Sequence, residues 1–189
     1  MSGQAMEWTA RGFARRAEPL AGLEARFEVL LVQEGAALRR LAASYGGGQA
    51  RSEDLFQEIC LAVWKALPSF RGESSERTFV FRIAHNRCLT ALSREKPAAE
   101  TLEAAYEVAA KEADPETRAG DRERRARLHR AVAALPLPLR QVLTLALEGL
   151  AQREVGEILG ISENNVAVRL TRARKALRQA LGEDGGTGP

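Results

Sequence analysis

Apolar residues return at intervals of three and four along most of this chain and almost nowhere at intervals of two. Phe27, Leu30 and Leu31, then Leu38 and Leu41, lay out one amphipathic helix, which the run Gly46-Gly47-Gly48 interrupts. Ser52 is placed to cap a second helix, with Glu53 and Asp54 at the positive end of its dipole. Leu55, Ile59, Ala62, Val63 and Ala66 form the inward stripe of that helix, and Pro68 ends it. After the loop from Ser69 to Ser75, the stretch Thr78 to Ser93 resumes the helical pattern through Val80, Ile83, Ala84 and Leu92. Farther on, Pro136 and Pro138 separate an arginine-rich helix from Leu139–Leu147, closed by Gly149, and Gln152–Leu159, closed by Gly160. Ser162 then caps a long final helix. The pattern predicts an all-α protein of two small helical domains joined by a linker. An arm covers residues 1–22, the first domain 23–96, the linker 97–120, the second domain 121–181 and a disordered glycine-rich tail 182–189.

Composition agrees with this division. The 189 residues suit one ordinary domain or two small ones, and 45% hydrophobic content permits a packed core. The net charge of +3 is unevenly spread. Between Glu95 and Arg118 seven acids face three bases, whereas Asp121 to Arg178 holds twelve Arg and Lys against six Asp and Glu. A basic module after an acidic connector points to a polyanionic partner, with plain surface solubilisation as the alternative. Cys60 and Cys88 lie inside apolar helical patterns and not in a disulfide framework, which fits a reducing cytoplasm. No apolar run approaches the roughly 20 residues that span a bilayer, so no membrane insertion is expected.

Catalytic chemistry finds no support in the residues. There is no phosphate-cradling glycine loop, nucleophile elbow or paired-carboxylate arrangement, so the chain is read as no enzyme, with no catalytic residue and no cofactor. Cys60, His85 and Cys88 invite a metal, but zinc asks for four ligands, or three and a water, and no fourth is evident. Buried thiols and an ordinary histidine fit better.

The stretch Ala151 to Leu170 has the layout of a helix-turn-helix. Val155, Ile158 and Leu159 line the inner face of its first helix, Gly160 permits the sharp turn, and Ile161 plugs the corner. Ser162 caps the second helix, which Val166 and Leu170 anchor. Glu163, Asn164, Asn165, Ala167, Val168, Thr171 and Arg172 are left outward or flanking, where the start of the second helix enters a major groove. Asn can read adenine edges, and Val or Thr methyls can touch thymine methyls. Arg169, Arg172, Arg174, Lys175 and Arg178 are candidates for phosphate contacts. A helical hairpin with a solvated basic face is the bland alternative.

Two further surfaces carry polar patterns. Asp54, Gln57, Glu58, Leu61 and Lys65 recur at spacings of three and four, on a face distinct from the inward stripe, and suit docking onto another helix. The loop Ser69 to Arg77 and the helix after it are candidates for holding unpaired DNA. Phe70 can stack on a base, Ser74, Ser75 and Asn86 can bond base edges, and Arg82 and Arg87 can hold phosphates. Core packing is the alternative for Phe70.

These motifs together resemble a known family. Ser52-Glu53-Asp54-Leu55-Phe56-Gln57-Glu58, continuing into Val63-Trp64-Lys65-Ala66-Leu67, is similar to the acidic segment of extracytoplasmic-function (ECF) RNA polymerase sigma factors. Phe70 to Ser75 and Arg82-Ile83-Ala84-His85-Asn86 look like the promoter-melting segment of that family. Leu135-Pro136 and Ile158 through Leu177 resemble its second domain. The resemblance implies that the first domain binds the clamp helices of the polymerase β′ subunit through Asp54, Gln57, Glu58, Leu61 and Lys65. It implies that the same domain opens the −10 element with Phe70, Ser74, Ser75, Arg77, Phe79, Arg82, Asn86 and Arg87. The second domain would read the −35 element with Ser162, Asn164, Asn165, Ala167, Val168, Arg169, Thr171, Arg172 and Lys175, and contact the β flap. An anti-sigma factor is the further partner the family implies. Ala167-Val168 stands where many relatives have Lys or Arg followed by Ser, which implies a −35 preference with more apolar contact. A helix-turn-helix repressor or activator that works without core polymerase is the competing reading.

Overall fold

In the computed structural model the described residues are 20–94 and 115–182, and they are helical with no strand among them. The readings made above of residues 1–19, 95–114 and 183–189 lie outside the described residues.

An N-terminal bundle is formed by α1 (Leu20–Gly46), α2 (Gln49–Ala66) and α3 (Glu76–Arg94), with a single 3-10 turn, Leu67–Ser69, after α2. Leu38, Leu41, Ile59, Val63, Leu67, Val80 and Phe81 are fully buried at its centre. Each such side chain removed from water contributes roughly 1.5–3 kcal/mol. Phe27 of α1 and Trp64 of α2 meet edge to face, with centroids 5.2 Å apart and planes at 74°. The inward stripe of α2 is Leu55, Phe56, Ile59 and Val63, while Ala62 and Ala66 are only half-buried. Phe56 escaped the sequence pattern; the Arg39 guanidinium lies 3.9 Å over its ring and closes it off.

Ser52 does not cap α2. The helix begins at Gln49, and the Ser52 hydroxyl donates 2.7 Å back to the Gly48 carbonyl, which also accepts from the Ser52 amide at 2.9 Å. Extended backbone at Gly48 (φ 178°) lets the helix restart one turn earlier than the serine suggests, so Glu53 and Asp54 sit beyond the first turn. The cap of this bundle is Ser75 instead, whose hydroxyl accepts from the Thr78 amide at 3.0 Å just before α3.

The C-terminal bundle comprises α4 (Pro115–Ala133), α5 (Leu137–Leu147), α6 (Gln152–Leu159) and α7 (Glu163–Leu181). Helix α4 starts inside the stretch read as linker; proline, with its preset φ, suits a first helical position. Val132, Leu135, Leu143 and Ala173 bury a small core joining α4, α5 and α7. The Arg127 guanidinium donates to the Leu181 carbonyl at 2.7 Å across the same junction.

Between α6 and α7 the chain makes the expected corner. Gly160 takes a left-handed conformation (φ 67°), and the Ile161 amide donates to the Gly156 carbonyl at 3.1 Å. Ser162 accepts from the Asn165 amide at 3.3 Å and caps α7. At the start of α6, Ala151 offers no side-chain oxygen, but Glu154 reaches back to accept from its amide at 2.9 Å.

The two bundles pack against each other along a seam in which polar pairs overlie a shared apolar core. Helix α5 and its C-cap present Gln141, Thr144 and Glu148 at spacings of three and four. Gln141 lies 3.2 Å from His85 of α3, Thr144 lies 3.4 Å from the Tyr45 hydroxyl of α1, and Glu148 pairs with Arg40 of α1 at 2.6 Å. Arg77 donates to the Glu148 carbonyl at 2.5 Å and pairs with Glu34 at 3.2 Å. Thr78 donates to Glu154 of α6 at 3.0 Å. Apolar contact runs beneath, joining Val142, Leu145, Leu150, Val155 and Ile158 to the N-terminal core. Burial pushes the Tyr45 hydroxyl up to about 12 and the His85 imidazole down to about 4.

Two predictions follow from this packing. A Cβ on Gly156 would stand 2.8 Å from the Ile161 carbonyl oxygen, which is backbone and cannot swing aside. Gly156→Ala is expected to cost about 1–3 kcal/mol in urea denaturation, whereas Gly22→Ala, with nothing within 4 Å, is neutral or stabilising. His85 gives the second. Its unfolded imidazole takes a proton near the ordinary 6.5, but the folded one resists until about 4. Stability is therefore intact above pH 6.5 and declines as pH falls through that window, with half-buried His129 acting in the same direction. A loss of about 2 kcal/mol between pH 7.5 and pH 5 is expected, and His85→Gln should flatten most of the slope.

Candidate nucleic-acid interface

Helix α7 separates its faces cleanly. Val166, Leu170 and Ala173 are buried, because they sit over α5 and α6 where the corner at Ile161 aims them. Asn164, Asn165, Val168, Thr171, Arg172 and Lys175 are exposed and share the opposite side. Val168 is 42% exposed, a β-branched apolar side chain on an otherwise polar surface. Ala167 and Arg169 flank this row half-buried, and the hydroxyl of exposed Thr171 donates to the Ala167 carbonyl at 3.0 Å. Ser162 is exposed but occupied as the cap. The positive end of α7 and its four exposed cations, Arg172, Arg174, Lys175 and Arg178, offer a polyanion a favourable field. Glu163, also exposed in the first turn, is the one acid there.

A second surface lies on α2. Asp54, Gln57, Glu58, Leu61 and Lys65 are all exposed, and together they make one continuous strip. Leu61 is 53% exposed, flanked by polar groups, and Glu58 pairs loosely with Arg94 at 3.7 Å. The buried stripe Leu55, Ile59 and Val63 on the other side holds this strip rigidly outward.

The residues assigned to single-stranded DNA divide into two sets. Phe70 and Phe79 meet at 5.1 Å with Arg26 5.2 Å over the Phe70 ring, so both aromatics are half-buried and packed on each other. Asn86 is exposed and Arg87 half-buried, both about two turns beyond Phe79 along α3, and the Ser74 hydroxyl donates only to the neighbouring Ser75 carbonyl at 3.3 Å. Ser75, Arg77 and Arg82, by contrast, are engaged by the C-terminal bundle: Ser75 with Glu154 at 3.4 Å, Arg77 with Glu148, and Arg82 with the Glu157 carbonyl at 3.4 Å. The Ala151 amide, then the Thr78 and Ser75 hydroxyls, hold the Glu154 carboxyl below the usual carboxylate range. Arg40, Tyr45, Gln141, Thr144, Glu148 and Glu154 form this seam and carry no local sequence signal, since their partners lie far away in the chain.

Among the described residues no three His, Cys, Asp or Glu side chains gather as a metal would need, and His85 faces Gln141. Burial pushes the Cys88 thiol up to about 12 and also raises Cys60. No helix among the described residues is long and apolar enough to cross a membrane.

Comparison with known proteins covers both bundles. Residues 30–97 match the sigma-70 region 2 family, and residues 125–177 match sigma-70 region 4. The chain is 32% identical over 177 residues to the RNA polymerase sigma factor CnrH of Cupriavidus metallidurans, covering 89% of this chain and 93% of that one. It is 30% identical to the ECF RNA polymerase sigma factor SigM of Mycobacterium tuberculosis (86% and 81% covered). It is 35% identical to the ECF RNA polymerase sigma-E factor of Escherichia coli (66% and 70% covered). A solved structure of CnrH in complex with the cytosolic domain of CnrY is similar at a TM-score of 0.66 and 25% identity, covering 87% of this chain and 93% of that one. The fold is shared as well with the sigma factor RpoE in complex with the anti-sigma factor NepR from Bartonella quintana, at a TM-score of 0.63 and 20% identity, covering 84% and 98%. These likenesses span both bundles in order, which sets aside a free-standing helix-turn-helix regulator. The chain belongs to the ECF RNA polymerase sigma factors, non-catalytic proteins that direct polymerase to promoters and initiate transcription.

Proposed function

We propose that this sigma factor divides its work between the strip on α2, the loop and helix around α3, and the outer face of α7. The observation that carries the reading is the exposed row Asn164, Asn165, Val168, Thr171, Arg172 and Lys175, backed by buried Val166, Leu170 and Ala173. In this reading α7 enters the major groove of the −35 element. The asparagines take adenine edges, Val168 and the Thr171 methyl take thymine methyls, and Arg169, Arg172 and Lys175 meet phosphates. Ser162 fixes the start of the helix against the backbone of the groove. The same domain touches the β flap.

The α2 strip docks on the β′ clamp helices. Its support is chemical: acids and an amide around one exposed leucine suit a helical partner, with the leucine as the apolar anchor. Phe70, Ser74, Phe79, Asn86 and Arg87 hold the melted −10 strand, joined by Ser75, Arg77 and Arg82 once these are released. Extracting a base costs a few kcal/mol, and stacking on an aromatic returns about 1–3 kcal/mol per base. The acidic stretch between the bundles tethers the two DNA-reading modules, so the second contact forms at high effective concentration once polymerase sets the spacing. An anti-sigma factor completes the list of partners. The likeness to CnrH and RpoE, each solved with a bound partner, supports it. The protein works in the cytoplasm, where polymerase and promoter are.

Transcription in vitro with core polymerase, on DNA upstream of the chain's own gene, tests the whole reading; absence of a specific start in every such template defeats it. Asp54→Arg is expected to weaken binding to core about tenfold, on the order of 1.4 kcal/mol, with an unchanged helical circular-dichroism spectrum. Asn165→Ala is expected to reduce discrimination among −35 variants by about 1–3 kcal/mol. Equal initiation from all variants by wild type and N165A would remove Asn165 from the interface.

A further inference from the structure

The outermost line of α1 is apolar. Gly22, Ala25, Val29, Val32 and Ala36 follow one another at spacings of three and four, all exposed, on the side opposite the buried Leu30, Leu38 and Leu41. Val32 is 86% exposed and Val29 55%. A Cβ built on Gly22 would meet nothing within 4 Å, so the line is open at its start as well. No charged side chain interrupts it, and Glu24 and Glu28 stand along one edge, both exposed. The solvent face of a surface helix ordinarily carries charge, so an apolar line of this length asks for a cover. Among the described residues none supplies one.

The 19 residues ahead of α1 carry a matching pattern. Met6, Ala10, Phe13 and Ala17 recur at four, three and four, the spacing of one helix face. Pro19 disfavours helix at Glu18 and so marks a break just before α1 begins at Leu20. A break of about two residues is enough to join an antiparallel helix pair. Folding back at Glu18-Pro19 sets Ala17 beside Gly22, Phe13 beside Ala25, Ala10 beside Val29 and Met6 beside Val32. All four pairs fall in a single register. Bulk alternates across it, since Phe13 meets an alanine and Val29 meets another, as interdigitating layers require. Arg16 falls beside Glu24 on the acidic edge.

Size argues for a segment of the same chain over a second molecule. From Gly22 to Ala36 the line runs about 21 Å at a helix width of about 10 Å, on the order of 200 Å². Each partner of a stable complex buries roughly 800 Å². A tethered segment is spared that requirement, because its effective concentration on the line is already high.

We propose that residues 5–17 form a further helix of the N-terminal bundle, laid antiparallel along α1 with Met6, Ala10, Phe13 and Ala17 on the line from Gly22 to Ala36. Docked in this way, the segment turns Trp8, Arg11 and Arg15, which share its other face, to solvent. The surface carried by α1 then changes from apolar to basic.

Hydrogen exchange of the full chain, read by mass spectrometry, tests the docking. Amides of residues 7–16 should exchange roughly tenfold or more slowly than in a free peptide of residues 1–19. Val32→Glu sets a charge in the middle of the line and disturbs no core contact, since Val32 faces water. It should return residues 7–16 to the rate of the peptide and leave α2 and α3 as protected as in the wild type. A cysteine pair checks the register. Mild oxidation should join Ala10→Cys to Val29→Cys within one chain, whereas Ala10→Cys with Ala50→Cys, beyond the C-terminal end of α1, should stay reduced. Unprotected amides at residues 7–16 of the wild type overturn the proposal, as does protection that V32E leaves untouched. Equal linking of the two cysteine pairs overturns it too. A wild-type dimer in sedimentation that V32E dissociates assigns the line to a second copy of the chain and overturns it as well.

Discussion

The missing side chain at Gly156 governs the business end of the molecule. It lets the carbonyl of Ile161 come within contact distance of α6, while the Ile161 amide donates to the Gly156 carbonyl. That approach sets the angle at which α7 leaves the corner. The angle decides that Val166 and Leu170 fall into the core and that Asn164 and Asn165 do not. Neither the apolar anchors nor the polar row has meaning without it, because a helix rotated by one residue would carry its asparagines about 100° around the axis. Ser162 and left-handed Gly160 hold the same geometry from the other side of the turn.

Much of this was legible in the order of residues, for a reason that can be stated residue by residue. Helix α6 runs from Gln152 to Leu159 as periodicity and Gly160 indicate, and Ser162 caps α7 as its chemistry suggests, because those signals act within one turn of the chain. The Asp54 strip and the α7 row are exposed as their spacing requires. Ser52 misled because a serine hydroxyl can donate backward as readily as it accepts forward, and the glycines before it allowed the earlier start. Phe56 was missed because its burial depends on a cation from another helix. Pro115 opens a helix within what composition alone marks as connector.

The seam between bundles was not legible at all. Arg40 and Glu148 are 108 positions apart, and Tyr45 and Thr144 are 99 apart, so no local window contains a pair. Taken singly, each looks like a solvated surface group or a core polar residue. Only together do they account for a neutral histidine and a tyrosine held away from their ordinary titration by burial. The same side chains that look like DNA ligands, Arg77 and Arg82 above all, satisfy backbone carbonyls across this seam. A group with hydrogen-bonding capacity to spare serves whichever polar surface is nearest.

The edge-to-face pair Phe27–Trp64 gives the N-terminal bundle an optical label of its own. Trp64 is the only tryptophan among the described residues, the chain's other one being Trp8, so the C-terminal bundle is dark under indole excitation. Emission from Trp64 follows the melting of α1 against α2 and is blind to α4–α7. A protein whose halves lose order at different temperatures would therefore give two different transitions by fluorescence and by helical circular dichroism. The gap between them measures how strongly one half props up the other.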